Sequence, residues 1–147
     1  MNPMPPLPAE AATGSAGVVR RLRTFIVEDS AIILDNLVAT LEELALVDVV
    51  ASASDETSAM QQLRQLGTAV DLVIVDIFLK GGSGLGLLRR MTEEHMGAQR
   101  AVLTNYATQD MRQKCLALGA SEVFDKSGDI DRLLDYCTGL AAAHDAG

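Results

Sequence analysis

The chain has 147 residues, room for one domain around one hydrophobic core. Its apolar share is 48% but its aromatic share is 3%, with no Trp, so the core is built from Leu, Ile, Val and Ala. A net charge of −8 argues against the basic face that direct nucleic-acid binding needs, and no apolar run nears the roughly 18 residues of a membrane-inserting helix.

The first nineteen residues hold all four prolines (Pro3, Pro5, Pro6 and Pro8) and then a small-residue stretch, Ala11 to Gly17. Such a segment has too little apolar surface to offset its ordering entropy, which predicts a flexible tail over 1–19. It lacks the charged start and long apolar centre of a signal peptide, so a cytoplasmic protein is expected. The basic cluster Arg20, Arg21 and Arg23 is read as flanking the first strand.

Short apolar runs then alternate with helical periods. Thr24 to Val27 is a strand ending on two acids, Glu28 and Asp29. Ser30 caps a helix to about Leu46, with Ile33, Leu34, Leu37, Leu41 and Leu44 on one face. Val47 to Ser52 is the second strand. Ser54 or Asp55 caps a helix to Leu66, with Ala59, Leu63 and Leu66 inward, and Gly67 ends it. Asp71 to Val75 is apolar after its first residue, as a central parallel strand is, and runs into Asp76. A loop with Gly81, Gly82 and Gly84 leads to a helix from about Gly84 to Glu94. Arg100 to Leu103 is the fourth strand and ends at Thr104. Thr108 to Leu118 is a helix closed by Gly119, and Glu122 to Asp125 is the fifth strand, ending at Lys126. The last helix spans about Ile130 to Ala143, with Ile130, Leu133, Leu134, Cys137, Leu140 and Ala141 inward.

Five βα units in a row predict an α/β, doubly wound fold: an open parallel five-stranded sheet with helices on both faces. A dinucleotide site would need a glycine fingerprint after the first strand. Glu28, Asp29 and Ser30 stand there instead, two anions where a pyrophosphate would sit. Cys115 and Cys137 are too few and too far apart for a disulfide framework or a zinc site, and are read as buried thiols. His95 and His144 are read as surface residues.

In such sheets ligands bind beyond the carboxyl ends of the strands. Those ends carry Glu28 and Asp29, then Asp76, Thr104 and Lys126. Three carboxylates close together repel one another unless a cation joins them. Oxygen donors without His or Cys suit Mg²⁺, with Mn²⁺ as an alternative. A nucleophile, a metal and a fixed positive charge are what phosphoryl transfer uses. Taken singly, the acids could equally be a solvated helix start, which favours acids by its dipole.

The ordered set resembles the receiver domain of bacterial response regulators, over about Arg23 to Ala143. The resemblance implies a (βα)5 flavodoxin-like fold with strand order 2-1-3-4-5. It implies Glu28 and Asp29 as the acidic metal pair, Asp76 as phosphoacceptor, Thr104 as switch hydroxyl and Lys126 as the family's lysine. The segment Ile77 to Gly84 resembles the loop after the acceptor, with the Phe78 backbone carbonyl as a further metal ligand. Phe78, Asn105 and Tyr106 then stand where they modulate the site. A histidine kinase or histidine phosphotransfer protein is the implied donor and an unknown protein the downstream target. Residues 20–144 are expected to form the receiver, with no output domain, acting on its own phosphoryl group but otherwise not as an enzyme. An aspartyl-phosphate phosphatase would need a second acid two residues after Asp76, where Phe78 stands. The other alternative is a degenerate receiver that only binds proteins.

Three positions depart from the family pattern. Val123 occupies the place of its switch aromatic, with Phe124 one step later and on the other face of the strand. Asn105 follows Thr104 where a smaller residue is usual. Ser127 follows Lys126 where proline is frequent, and a cis bond before serine would cost roughly 2.5–4 kcal/mol, so a trans bond is expected.

Overall fold

A computed structural model describes residues 20–146; the tail expected over 1–19 lies outside them. Its elements are β1 Leu22–Val27, α1 Ala31–Leu44, β2 Val47–Ala53, α2 Glu56–Leu66, β3 Leu72–Val75, α3 Gly84–Glu93, β4 Gln99–Thr104, α4 Gln109–Ala117, β5 Glu122–Asp125 and α5 Ile130–Ala146. The strands pair in parallel in the order β2-β1-β3-β4-β5. This is the doubly wound fold that the alternation predicted, with the strand order implied by the resemblance.

Polar side chains start four of the helices. Ser30, Asp55, Ser83 and Thr108 each accept the backbone N–H three residues on, at 2.8–3.3 Å. Each satisfies a donor that the first helical turn leaves without a partner. Asp55, not Ser54, is the cap of α2. Gly67 closes α2 with φ 54°, a conformation that costs a side-chain-bearing residue.

Successive strand residues point to opposite faces and feed two aliphatic cores. Phe25, Val73, Val75, Val102 and Val123 pack with Met60, Leu87, Leu88 and Met91 on one face. Leu22, Ile26, Ile74, Leu103 and Phe124 pack with Leu37, Leu41, Leu133 and Cys137 on the other. Val123 and Phe124 therefore lie in different cores, as their alternation requires. Cys115 and Cys137 are both buried free thiols, and burial pushes the Cys137 thiol up to about 12.

The inward face of α1 is narrower than its spacing predicted. Leu37 and Leu41 are buried, but Ile33 is 39% and Leu44 64% exposed. The helix stops at Leu44, short of Leu46, because Ala45 turns to extended geometry, and Ala45 is buried. Met60 is a buried residue of α2 that the spacing reading omitted, and α5 continues past Ala143 to Ala146. No peptide bond among the described residues is cis, that between Lys126 and Ser127 included.

The amino end of the sheet is tied by charge. Asp71, just before β3, is buried and accepts from Arg23 N at 2.8 Å, Arg23 Nη2 at 2.9 Å and Arg20 Nη2 at 3.2 Å. Arg21 pairs with Asp48 at 2.8 Å. The basic cluster thus closes the fold around β1.

Candidate functional site

Strand register builds the site. Val27 of β1 stands beside Val75 of β3, so the next residues, Glu28 and Asp76, emerge together. The ladder continues one step further through Asp76 N to Val27 O at 3.0 Å. On the other side, Thr104 pairs with Asp125, and Lys126 N donates to Thr104 O at 2.9 Å. Four strands thus deliver five polar side chains to one rim.

One oxygen from each of Glu28, Asp29 and Asp76 lies within 4.8 Å of the other two. Glu28 and Asp76 are only 4% and 8% exposed. Lys126 reaches across them, with Nζ donating to Glu28 Oε1 at 2.7 Å and to Asp76 Oδ2 at 2.9 Å. Burial disfavours the ammonium charge, but the hydrogen bonds to Glu28 and Asp76 outweigh it and hold the Lys126 pKa above its ordinary value. Backbone amides steady the acids. Ser30 N donates to Glu28 Oε2 at 3.0 Å, Lys80 N to Asp29 Oδ2 at 2.9 Å, and Phe78 N to Asp76 Oδ1 at 3.4 Å.

The donor set fits a hard divalent cation. It is made of carboxylate oxygens, with neither His nor Cys among them. Three formal negative charges against one positive leave two to be balanced. A cleft of about 350 Å³ opens beside Glu28 and Asp29, between the ends of β1 and β2 and the start of α2.

Thr104 is fully buried and accepts Tyr106 N on Oγ1 at 3.1 Å. Asn105 is exposed. Tyr106 is 59% exposed, and its ring meets that of Phe78, itself 54% exposed, with centroids 4.9 Å apart. His95 is exposed and remote from this rim, and the side chain of His144 lies outside the described residues.

Every site residue predicted from sequence stands on or beside this rim. Sequence reasoning missed that Lys126 bridges Glu28 as well as Asp76. It also missed Glu56, whose carboxylate accepts Ser83 N of the loop after Asp76 at 3.0 Å.

The family model for the response regulator receiver domain matches residues 24–138. The chain belongs to the response regulator receiver domain family. Receivers are the phosphate-accepting modules of two-component signalling. This receiver is 29% identical over 127 residues to a protein-glutamate methylesterase/protein-glutamine glutaminase of Azospirillum brasilense, covering 85% of the chain and 32% of the relative. It is 28% identical over 112 residues to the transcriptional regulatory protein CitB of Klebsiella pneumoniae, covering 76% of the chain and 47% of the relative. The receiver thus spans less than half the length of these curated relatives.

Solved structures share the fold. A two-component response regulator of the LuxR family from Aurantimonas sp. SI85-9A1 superimposes with a TM-score of 0.75 at 25% identity, covering 84% of this chain and 86% of that one. The response regulator domain of Thermotoga maritima CheB gives 0.75 at 18% identity, covering 84% and 98%. A chain of the CheX-CheY-BeF3-Mg+2 complex from Borrelia burgdorferi is a third similar structure, with a TM-score of 0.70 at 18% identity, covering 80% and 90%. Among the described residues of this receiver, no helix is long and apolar enough to cross a membrane.

Proposed function

We propose that this receiver accepts a phosphoryl group on Asp76 from the phosphohistidine of a histidine kinase or phosphotransfer protein, and then changes how it binds a downstream protein. The observation that carries this reading is the Lys126 bridge from Asp76 to Glu28, at 2.9 and 2.7 Å, on a rim that also holds Asp29. A carboxylate oxygen of Asp76 attacks phosphorus as the nitrogen–phosphorus bond of the donor breaks. The imidazole keeps the bonding pair and takes up a proton.

Glu28, Asp29, Asp76 and the backbone carbonyl of Phe78 are the residues that would hold Mg²⁺, or Mn²⁺ in its place. The metal, when bound, supplies charge neutralisation for the phosphoryl oxygens. Lys126 offers a second fixed positive charge, and the buried Thr104 hydroxyl stands ready to donate to a phosphoryl oxygen. Residues 20–144 form the functional unit in this reading, in the cytoplasm. Its chemistry is confined to its own phosphoryl group; no activity of the longer relatives is assigned to it. The complete set of acids, acceptor and lysine favours a phosphorylated receiver over a module that only binds proteins.

The test is labelling by a small acyl phosphate in the presence of Mg²⁺. Wild type is expected to take up one phosphoryl group. Asp76→Asn, near-isosteric but not a nucleophile, is expected to fold and remain unlabelled. Labelling of the variant to the same stoichiometry rules out Asp76 as acceptor.

A further inference from the structure

The loop between Asp76 and α3 touches two of the three acids through Phe78 N and Lys80 N. Its base is closed by Gly84 N to Ile77 O at 2.9 Å and by a bridge between Phe78 and Ser83. Its tip is Gly81 and Gly82, both exposed, the second at φ 76°. Adjacent glycines make a segment that costs more entropy to order than other residues would. Something outside the loop has to hold it.

That role falls to Glu56, the first residue of α2. Its own N–H donates to Gly81 O at 3.0 Å. Its carboxylate turns back over the loop, where Oε1 accepts Ser83 N at 3.0 Å and Oε2 accepts Arg90 Nη1 of α3 at 3.2 Å. The Glu56 side chain is 17% exposed. The seat is shaped for it: a methyl group added at Gly82 or at Gly86 would come within 2.6 Å of Glu56 Oε1. Two glycines, a backbone amide and an arginine thus surround one carboxylate that is not part of the acidic cluster.

We propose that Glu56 is a positioning residue, which fixes the Ile77–Ser83 loop so that Phe78 and Lys80 are presented to the phosphorylation rim. The inference rests on the reading of Asp76 as acceptor. It adds a second tether between α2 and the site, since Ala53, just before α2, already accepts Glu28 N at 3.0 Å. Glu56 touches none of the reacting groups. It acts through the loop, by limiting how far the Phe78 carbonyl and the Lys80 amide stray.

The experiment compares wild type with Glu56→Ala, Arg90→Gln, Gly86→Ala and the double variant Glu56→Ala/Gly86→Ala. Amide hydrogen exchange at Phe78, Lys80 and Ser83 is measured without metal, and Mg²⁺ affinity by calorimetry. Losing a charged acceptor should speed exchange at these amides about tenfold in Glu56→Ala, with β4 amides little changed. Mg²⁺ affinity should fall several-fold. Arg90→Gln should show a smaller change of the same kind. Gly86→Ala should imitate Glu56→Ala by evicting the carboxylate, yet add nothing further when Glu56 is already alanine. That non-additivity is a signature that general destabilisation would not produce. Unchanged loop exchange in Glu56→Ala overturns the proposal, as does faster exchange with unchanged Mg²⁺ affinity. If wild type neither binds Mg²⁺ nor takes label, the functional reading fails. The exchange data then decide by themselves whether Glu56 holds the loop.

Discussion

The ring of Phe78 meets the ring of Tyr106 edge-on, centroids 4.9 Å apart and planes inclined at 70°. The two residues follow Asp76 and Thr104 by two positions each, and both rings are more than half exposed. Hydrolysis of an acyl phosphate on Asp76 needs a water in line with the bond to be broken. Neither ring carries an acid or amide to orient that water, and the two together are expected to exclude it. The phosphorylated chain is expected to decay slowly in Mg²⁺. Phe78→Asn and Tyr106→Glu should each speed decay, and more so together. Rapid wild-type decay, or rates indifferent to both changes, would discard the idea. In the alternative, Phe78 turns into the core and Tyr106 points outward to a partner, leaving the path open; the 54% exposure of Phe78 does not match the first half, whereas Tyr106 is 59% exposed.

Lys126→Ala removes a fixed charge without touching the three acids. Transfer from a small phosphodonor should slow by about 100-fold, the usual loss for one preorganised electrostatic group. Mg²⁺ affinity should hold or rise, because a positive charge 2.7 Å from Glu28 and 2.9 Å from Asp76 has gone. A large drop in Mg²⁺ affinity, measured by calorimetry, would contradict the assigned role.

Asp29→Ala should act in the opposite sense. Mg²⁺ affinity is expected to fall about tenfold or more, within the range that metal-site changes produce. Labelling should slow at low Mg²⁺ and recover partly in excess metal. Labelling at the wild-type rate after all divalent cation is chelated would remove the metal from the mechanism.

Asp71 governs stability, remote from the rim. Burial alone would raise its pKa, but hydrogen bonds from the Arg23 side chain and amide and the charges of Arg23 and Arg20 outweigh it, so the carboxyl is held below its ordinary value. A depressed folded pKa gives stability that is present above the unfolded value and lost as pH falls through the folded one. Denaturation at neutral pH should show Asp71→Asn less stable by about 2 kcal/mol, the scale of hydrogen bonds to a charged group. The gap to wild type should narrow below about pH 3.8 and close further with acid. A gap independent of pH would show that Asp71 contributes by packing alone.

The strands, the helices and the rim were all legible in the sequence, because apolar runs ending on Asp76, Thr104 and Lys126 place those residues by strand alternation alone. Ile33 and Leu44 misled, since helical spacing marks a face but not how much of it the sheet can cover. Glu56 could not be read as part of the site. Its partners Ser83 and Arg90 lie 27 and 34 residues away, and only the fold brings α2 over the loop. The Phe78–Tyr106 contact was likewise hidden, because sequence placed both near the site without showing that the rings touch each other.

The Lys126 bridge also bears on how the chain folds and survives. Three acids drawn to one rim would oppose closure of the sheet if each stood alone. An internal ammonium, held by β5 and spanning to β1 and β3, is a resident placeholder for part of the missing charge. Assembly of this fold is therefore expected to proceed without a metal ion from the surroundings. A chelator should silence the chain without melting it, and a newly made molecule should reach its native shape in a cell starved of magnesium as readily as in one replete with it.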